Sequence, residues 1–212
     1  MVSQTFINLA EGKKKAVVQS AVQEFARLGY QRASLNTIVK DASISKGSLY
    51  QYFQNKEALF NYIFEQFVLL VKRSVQGAAD NSSHDFFAKV RQVFWAGIHF
   101  VDYYPEYFQV YLKVLFEANV PGREGLLARV HLFSGEYFGP LCSNAKKTGE
   151  IRHDIPVETV IFMIDALINS LLQSYALSYL DSGLRLAQRD KKDISVQVDM
   201  VLEVLKKGLV QK

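Results

Sequence analysis

Apolar positions along this chain recur mostly at intervals of three and four, the period of helices that each bury one face. Val17, Val18, Ala21, Val22 and Phe25 form such a stripe. They predict a first helix from about Asn8 to Leu28, stopped by Gly29, which can adopt the left-handed conformation beyond a helix end. Ser34 stands where its hydroxyl could accept from the free N–H groups of a second, short helix of about eight residues. Ile38, Val39 and Ala42 are that helix's buried side, and Ser43-Ile44 is a turn. Ser45 then caps a third, very short helix, whose Leu49 and Phe53 are four apart and point into the core together. Asn55 caps a fourth, with Glu57 in its favourable first turn, and Leu59, Ile63 and Phe67 carry it towards Val75. Small and polar residues at Gly77–Ser83 predict a boundary. Further helices are expected over roughly Asp85–Tyr103, Pro105–Asn119, Arg123–Lys147 and Pro156–Leu180, with a last one after Gly183. The fold class is therefore all-α, with about nine helices and no internal repeat.

Composition narrows the function. Hydrophobic residues make up 49% of the chain and there are only 4 prolines and 12 glycines, which suits a packed core and not a disordered chain. A single cysteine, Cys142, leaves neither an internal disulfide nor a zinc-finger spacing, and fits a reducing cytoplasm. The N-terminus lacks the basic segment, apolar run and cleavage site of a secretory signal. Asp165 and Asn169 interrupt the most apolar stretch, so no membrane span is expected. The four histidines have no close metal-ligand spacing, and no phosphate loop or nucleophile elbow is present. No catalytic residue, metal or cofactor is expected.

Charge changes the picture more. Residues 1–56 carry eight Lys or Arg against three Asp or Glu, whereas residues 57–212 carry 17 against 18. The excess positive charge therefore surrounds the two short helices, which favours a polyanionic partner at that end, although a solvated basic surface would show the same balance. Two short helices about a tight turn can brace the second in a DNA major groove, where base edges are distinguishable. The residues left outside the core of that second helix are chemically suited. Lys46 can donate to guanine acceptors or phosphate, and Gly47 lets the backbone approach a base. Ser48 and Gln51 can donate and accept. Tyr50 and Tyr52 can reach phosphate through their hydroxyls or pack on thymine methyl groups. Thr37, Ser45 and Lys56 lie near helix starts that can hold phosphate.

Ser45-Lys46-Gly47-Ser48-Leu49-Tyr50-Gln51-Tyr52-Phe53, followed by Asn55-Lys56-Glu57-Ala58-Leu59, resembles the DNA-binding signature of the TetR-type (tetracycline-repressor-like) transcriptional regulators. Ala21, Phe25, Gly29-Tyr30, Ile38 and Ala42 fit the same pattern. The specific likeness covers about Val17 to Phe60. Two positions depart from it: Val39, where many members have alanine, and Ser43, where many have glycine in the turn. The resemblance implies a three-helix helix-turn-helix domain at 8–68 (core 8–56, linking helix from 56) and an effector-binding and dimerisation domain at 77–212. It further implies a homodimer formed through the last two helices, a palindromic double-stranded DNA operator, and a small-molecule effector that moves the fourth helix and releases DNA. Val157–Leu180 is apolar around more of its circumference than one core face needs, as a second buried surface would require.

Eight aromatic residues fall within positions 94–111. Trp95, Phe100, Tyr103, Tyr104, Tyr107, Phe108 and Tyr111 are the candidate lining of a pocket for a hydrophobic or aromatic ligand, or else ordinary core. The reading is a cytoplasmic, ligand-responsive transcriptional repressor. A DNA-binding activator or architectural protein of the same fold is the alternative. A helical-bundle enzyme lacks a matched nucleophile and base, and a purely oligomerising protein would show no salt-dependent DNA binding.

Overall fold

A computed structural model describes residues 2–78, 85–181 and 183–210. Among them are ten α-helices: α1 (Gln4–Ile7), α2 (Glu11–Arg32), α3 (Leu35–Asp41), α4 (Lys46–Tyr52), α5 (Lys56–Ala78), α6 (Phe86–Tyr103), α7 (Pro105–Phe116), α8 (Arg123–Lys147), α9 (Val157–Ala176) and α10 (Lys191–Leu209). Two 3-10 turns, Ser178–Leu180 and Leu186–Gln188, lie between α9 and α10. The described residues contain no strand, only an isolated bridge between Val2 and Phe53. The chain is all-α as its periodicity requires, with one helix more than the pattern foretold. Most of the expected boundary at Gly77–Ser83 lies outside the described residues.

The extra helix is α1, and it explains why α2 begins at Glu11 and not near Asn8. Ser3 caps α1 by accepting from the Phe6 N–H (3.2 Å), and Asn8 closes it. Lys14, one of three lysines crowding the start of α2, is paired with Glu11 at 2.6 Å, an i,i+3 contact that offsets the unfavourable charge there.

The chain packs as two units. The first comprises Met1–Leu70 and Tyr104–Val130, the second Val71–Tyr103 and His131–Lys212. In the first unit, α2 packs on α7 and α3. Phe25, Ile38, Leu49, Phe53, Leu59, Phe60, Ile63 and Phe64 are almost fully buried. Gly29 sits at φ 71°, ψ 177°, a kink near the end of α2 that only glycine adopts readily. A Cβ there would stand 2.2 Å from a Glu117 carboxylate oxygen, so the missing side chain also makes room for the residue that ends α7. Arg123 closes the same end of α7, donating from Nε to the Val114 carbonyl (2.8 Å) and from the guanidinium to that of Leu115.

In the second unit, α6 packs against α9 and α10 around Phe94, Ile98, Val160, Ile164, Val198 and Leu202. A Cβ on Gly97 would lie 2.6 Å from Leu172 Cδ1, so α6 and α9 touch here where α6 lacks a side chain. Asp102 ties the ends of three helices, accepting from Tyr175 Oη and Lys191 Nζ at 2.5 Å each. Burial opposes that carboxylate's charge, and these two donors outweigh it and lower its pKa. Val157–Ala176 is long and apolar enough by composition to cross a membrane (mean hydropathy 1.3), despite the polar residues that argued otherwise. Its Val160, Ile164 and Leu171 are nonetheless core residues of this unit, and its Asp165 accepts a hydrogen bond from Ser134 at 2.7 Å.

Candidate nucleic-acid interface

The interface is built on the turn between α3 and α4. Ala42 N–H donates to Ile38 C=O (2.9 Å), Ser43 N–H to Lys40 C=O (3.1 Å) and Ile44 N–H to Val39 C=O (3.0 Å), which winds α3 into a tight reversal. Ser43 closes it in the left-handed region at φ 53°, the conformation for which glycine would be the unstrained choice. Ser45 then caps α4 as its sequence position predicts: its hydroxyl accepts from Ser48 N–H at 3.0 Å and lies 2.8 Å from the Ser48 hydroxyl. Ser34 does not use its hydroxyl in this way at the start of α3. Its N–H instead donates to Glu24 Oε1 at 2.9 Å. Glu24 is buried, and Arg27 holds its other oxygen at 2.6 Å, so a charged side chain inside α2 fixes where α3 begins.

Leu49 and Phe53 anchor α4 in the core, and its other face is open. Lys46, Gly47, Tyr50 and Gln51 are exposed, Tyr50 to 48%, and Ser45 beside them is exposed too. Ser48 and Thr37 are half-buried. A Cβ on Gly47 would meet nothing nearer than Ser45 Oγ at 3.7 Å, so packing does not demand a glycine there. The bare backbone faces outward, where close approach of a ligand would use it. A groove of about 440 Å³ runs beside α4, with Gly12, Lys13 and Ala16 of α2 on one side and Ser43, Ser45, Ser48 and Tyr52 on the other. An ammonium and several hydroxyls around a concave opening suit a phosphate.

Two expected contact residues are partly engaged within the protein. Tyr52 is buried with its ring 5.6 Å from that of Phe6, so Tyr50 is the tyrosine whose ring face is free. Lys56 donates to the Gln31 carbonyl at 3.1 Å and its ammonium stands 5.0 Å over the Tyr30 ring. Burial lowers its pKa, and the charge of Glu24 counteracts that.

The aromatic run does not fall in one place. Tyr104, Tyr107, Phe108 and Tyr111 belong to the first unit, where Phe108 and Tyr111 are core and Tyr111 stacks on Phe67 at 5.2 Å. Burial, with smaller contributions from Tyr62 and Tyr104, pushes the Tyr107 hydroxyl up to about 12. Trp95, Phe100 and Tyr103 belong to the second unit. Phe100 is buried there, Tyr103 is exposed, and Trp95 lines a surface groove of about 340 Å³ with Arg91, Gln92 and His99. Among the described residues no group of three or more His, Cys, Asp or Glu is arranged to hold a metal. Sequence reasoning missed Glu24 and the α1 segment. A buried glutamate in an amphipathic stripe leaves no periodic signal, and a four-residue helix is too short to show one.

A helix-turn-helix with an exposed Lys-Gly-Ser-Tyr-Gln face, in an all-helical chain, defines a DNA-binding regulator. Residues 17–63 match the family model described as bacterial regulatory proteins, tetR family. The probable acrEF/envCD operon repressor of Escherichia coli K12 is 21% identical over 169 residues, 78% of this chain and 76% of that protein. The fold is shared with a TetR family transcriptional regulator from Chloroflexus aurantiacus (TM-score 0.77, 24% identity, all of both chains). It is shared also with the regulator FadR from Bacillus subtilis, solved with stearoyl-CoA (TM-score 0.71, 19% identity, 91% of this chain and 97% of that one). Residues 17–63 thus carry a tetR-family DNA-binding segment, and the chain as a whole has the fold of TetR-type transcriptional regulators.

Proposed function

We propose that this protein is a cytoplasmic, homodimeric repressor that an apolar small molecule releases from a palindromic DNA operator. The observation that carries the reading is the capped, core-anchored α4 with its free Lys46, Gly47, Tyr50 and Gln51. Lys46, Ser48, Tyr50 and Gln51 meet base edges and nearby phosphates. Thr37, Ser45, Tyr52 and Lys56, with Lys13 across the groove, hold the backbone in register. It acts by binding and not by turnover.

Dimerisation is supported by α9 and α10. On α9, Phe162 is 72% exposed and Met163 lies beside it, followed at helical spacing by the exposed small residues Ala166 and Ser170. On α10, Val196, Met200 and Val204 are four apart and exposed, Val204 to 73%. Exposed apolar residues on both of the last two helices suit a second copy of the same surface. A two-fold pair would present two copies of α4 to two half-sites, which is why the operator is expected to be palindromic.

Residues 8–68 carry DNA binding and residues 77–212 carry effector binding and dimerisation, with the linking helix α5 passing the signal. The effector class is apolar. Of the aromatic candidates, Trp95, Phe100 and Tyr103 lie in the second unit and are the residues such a ligand would use, and a fold relative was solved with stearoyl-CoA. The test is fluorescence anisotropy on DNA from upstream of the protein's own gene, titrated with stearoyl-CoA, a free fatty acid and a ketosteroid. Dissociation by one of these at micromolar concentration is expected. A complex that forms but resists every apolar compound would count against ligand release and favour the activator or architectural alternative.

A further inference from the structure

Residues 2–9 lie outside the family match at 17–63, yet Phe6 among them is buried in the first unit's core. Their partner is the recognition helix itself. Val2 forms an antiparallel bridge with Phe53, and Ser3 N–H donates to the Tyr52 carbonyl at 3.0 Å. That carbonyl is one of the groups a helix leaves unsatisfied at its C-terminal end. Three residues on, Phe6 is 1% exposed. Its ring lies 4.7 Å from Phe53, 5.6 Å from Tyr52 and 5.4 Å from Tyr62 of α5, and Phe53 lies 5.5 Å from Tyr62. One ring therefore touches the last turn of α4 and the linking helix together.

We propose that the segment Val2–Leu9 is a clasp on the recognition helix and that Phe6 is its positioning residue for DNA recognition. A helix of seven residues has little stability of its own, so its direction is set by what holds its two ends. Ser45 and the turn hold the first end. Phe6 and the Ser3 amide hold the second, and they fasten it to α5. Base contacts demand placement to a fraction of an ångström, whereas charge attraction to phosphate tolerates much looser placement. Loosening the clasp should therefore cost sequence-specific affinity more than non-specific affinity. It also makes α1 part of the route by which a movement of α5 reaches α4.

This inference rests on the DNA-binding reading, and the experiment separates the two. Full-length protein is used to select binding sequences from a random duplex pool. Affinities for the selected duplex and for random duplex are then measured for Phe6→Ala, Phe6→Leu, Ser3→Pro, Ser3→Ala and Lys46→Ala. Ser3 has φ −79°, which proline accepts, so Ser3→Pro removes the N–H donor, while Ser3→Ala removes only the hydroxyl cap. Phe6→Ala is expected to lose about tenfold or more in affinity for the selected duplex, equivalent to a small change in free energy of binding. Its affinity for random duplex should stay within about threefold, a shift on the scale of one ordinary hydrogen bond. Phe6→Leu should recover most of the loss, and Ser3→Pro should lose more than Ser3→Ala. The clasp is overturned if Phe6→Ala binds the selected duplex as the parent does, or if Phe6→Ala loses both affinities in parallel. Should Phe6→Ala not fold, equal behaviour of Ser3→Pro and Ser3→Ala overturns it and the expected difference supports it. If Lys46→Ala keeps full affinity, the DNA-face assignment falls with it. If only Lys46→Ala loses affinity, the clasp alone falls.

Discussion

Replacing Ser43 by glycine should stabilise the protein. Ser43 sits at φ 53°, and its exposed side chain makes no hydrogen bond among the described residues, so nothing in the native state is lost with it. An L-residue in the left-handed region is disfavoured by about 1–2 kcal/mol. Glycine escapes that strain but has more freedom to lose on folding, about 0.5–1 kcal/mol. The difference favours Ser43→Gly by roughly 0.5–1 kcal/mol, which for a chain of this length corresponds to a rise of about 1–4 °C in Tm. Ser43→Val is the opposite control: a β-branched side chain tolerates this region worst and should cost about 1–2 kcal/mol. The assay is thermal and urea unfolding followed by circular dichroism, at one protein concentration because dimerisation would shift the midpoint. The Val39–Ile44 turn aims α4, so both variants are also tested on the selected duplex. The stability order Gly, then Ser, then Val is expected. If Ser43→Gly is no more stable than the parent, or Ser43→Val is no less stable, the turn does not hold the left-handed strain assigned to it.

Lys46→Ala and Tyr50→Ala should each weaken operator binding by at least about tenfold while leaving the oligomeric state unchanged, and the Lys46 variant should also show a shallower salt dependence in anisotropy titrations. Phe162→Glu, at a 72% exposed position on α9, should leave the fold intact but shift the protein to monomer in analytical ultracentrifugation, and an unchanged dimer would remove α9 from the interface. Gly29→Ala forces a Cβ to 2.2 Å from the Glu117 carboxylate in a backbone conformation reserved for glycine, and should destabilise by about 2 kcal/mol or more in urea unfolding. Cys142 is buried with its thiol pushed up to about 11, so at pH 8 the native protein should alkylate about 100-fold or more slower than the urea-unfolded chain. The sign follows from the shift: raising the folded thiol's pKa keeps it protonated at pH 8, and reactivity returns only on unfolding.

What was legible in the sequence depended on range. The helices, the turn at Ser43-Ile44 and the caps at Ser45 and Asn55 follow from residues within four positions of one another, where periodicity and hydrogen-bond reach are local. The Asn55 cap is made as expected, with Ala58 N–H 2.8 Å from Oδ1. The outward face of α4 was legible for the same reason, since burying Leu49 and Phe53 leaves Lys46, Tyr50 and Gln51 outside. Local rules predicted a hydroxyl cap at Ser34 that is not made, and they missed the contact that is: Ser34 N–H to Glu24, ten residues away and brought near by the fold.

The sequence by itself thus determined the class of fold, the helix-turn-helix and the chemistry of its exposed face. Each of these rests on short-range spacing and on which side chains water rejects. Tertiary structure alone decided that α7 joins the first unit by packing on α2, and that the aromatic run is divided between two units. It alone decided that Phe6 seals the far end of α4. Such contacts join residues tens of positions apart, and hydrophobic burial has no direction. An apolar residue announces that it will be buried, and only the assembled fold says against what.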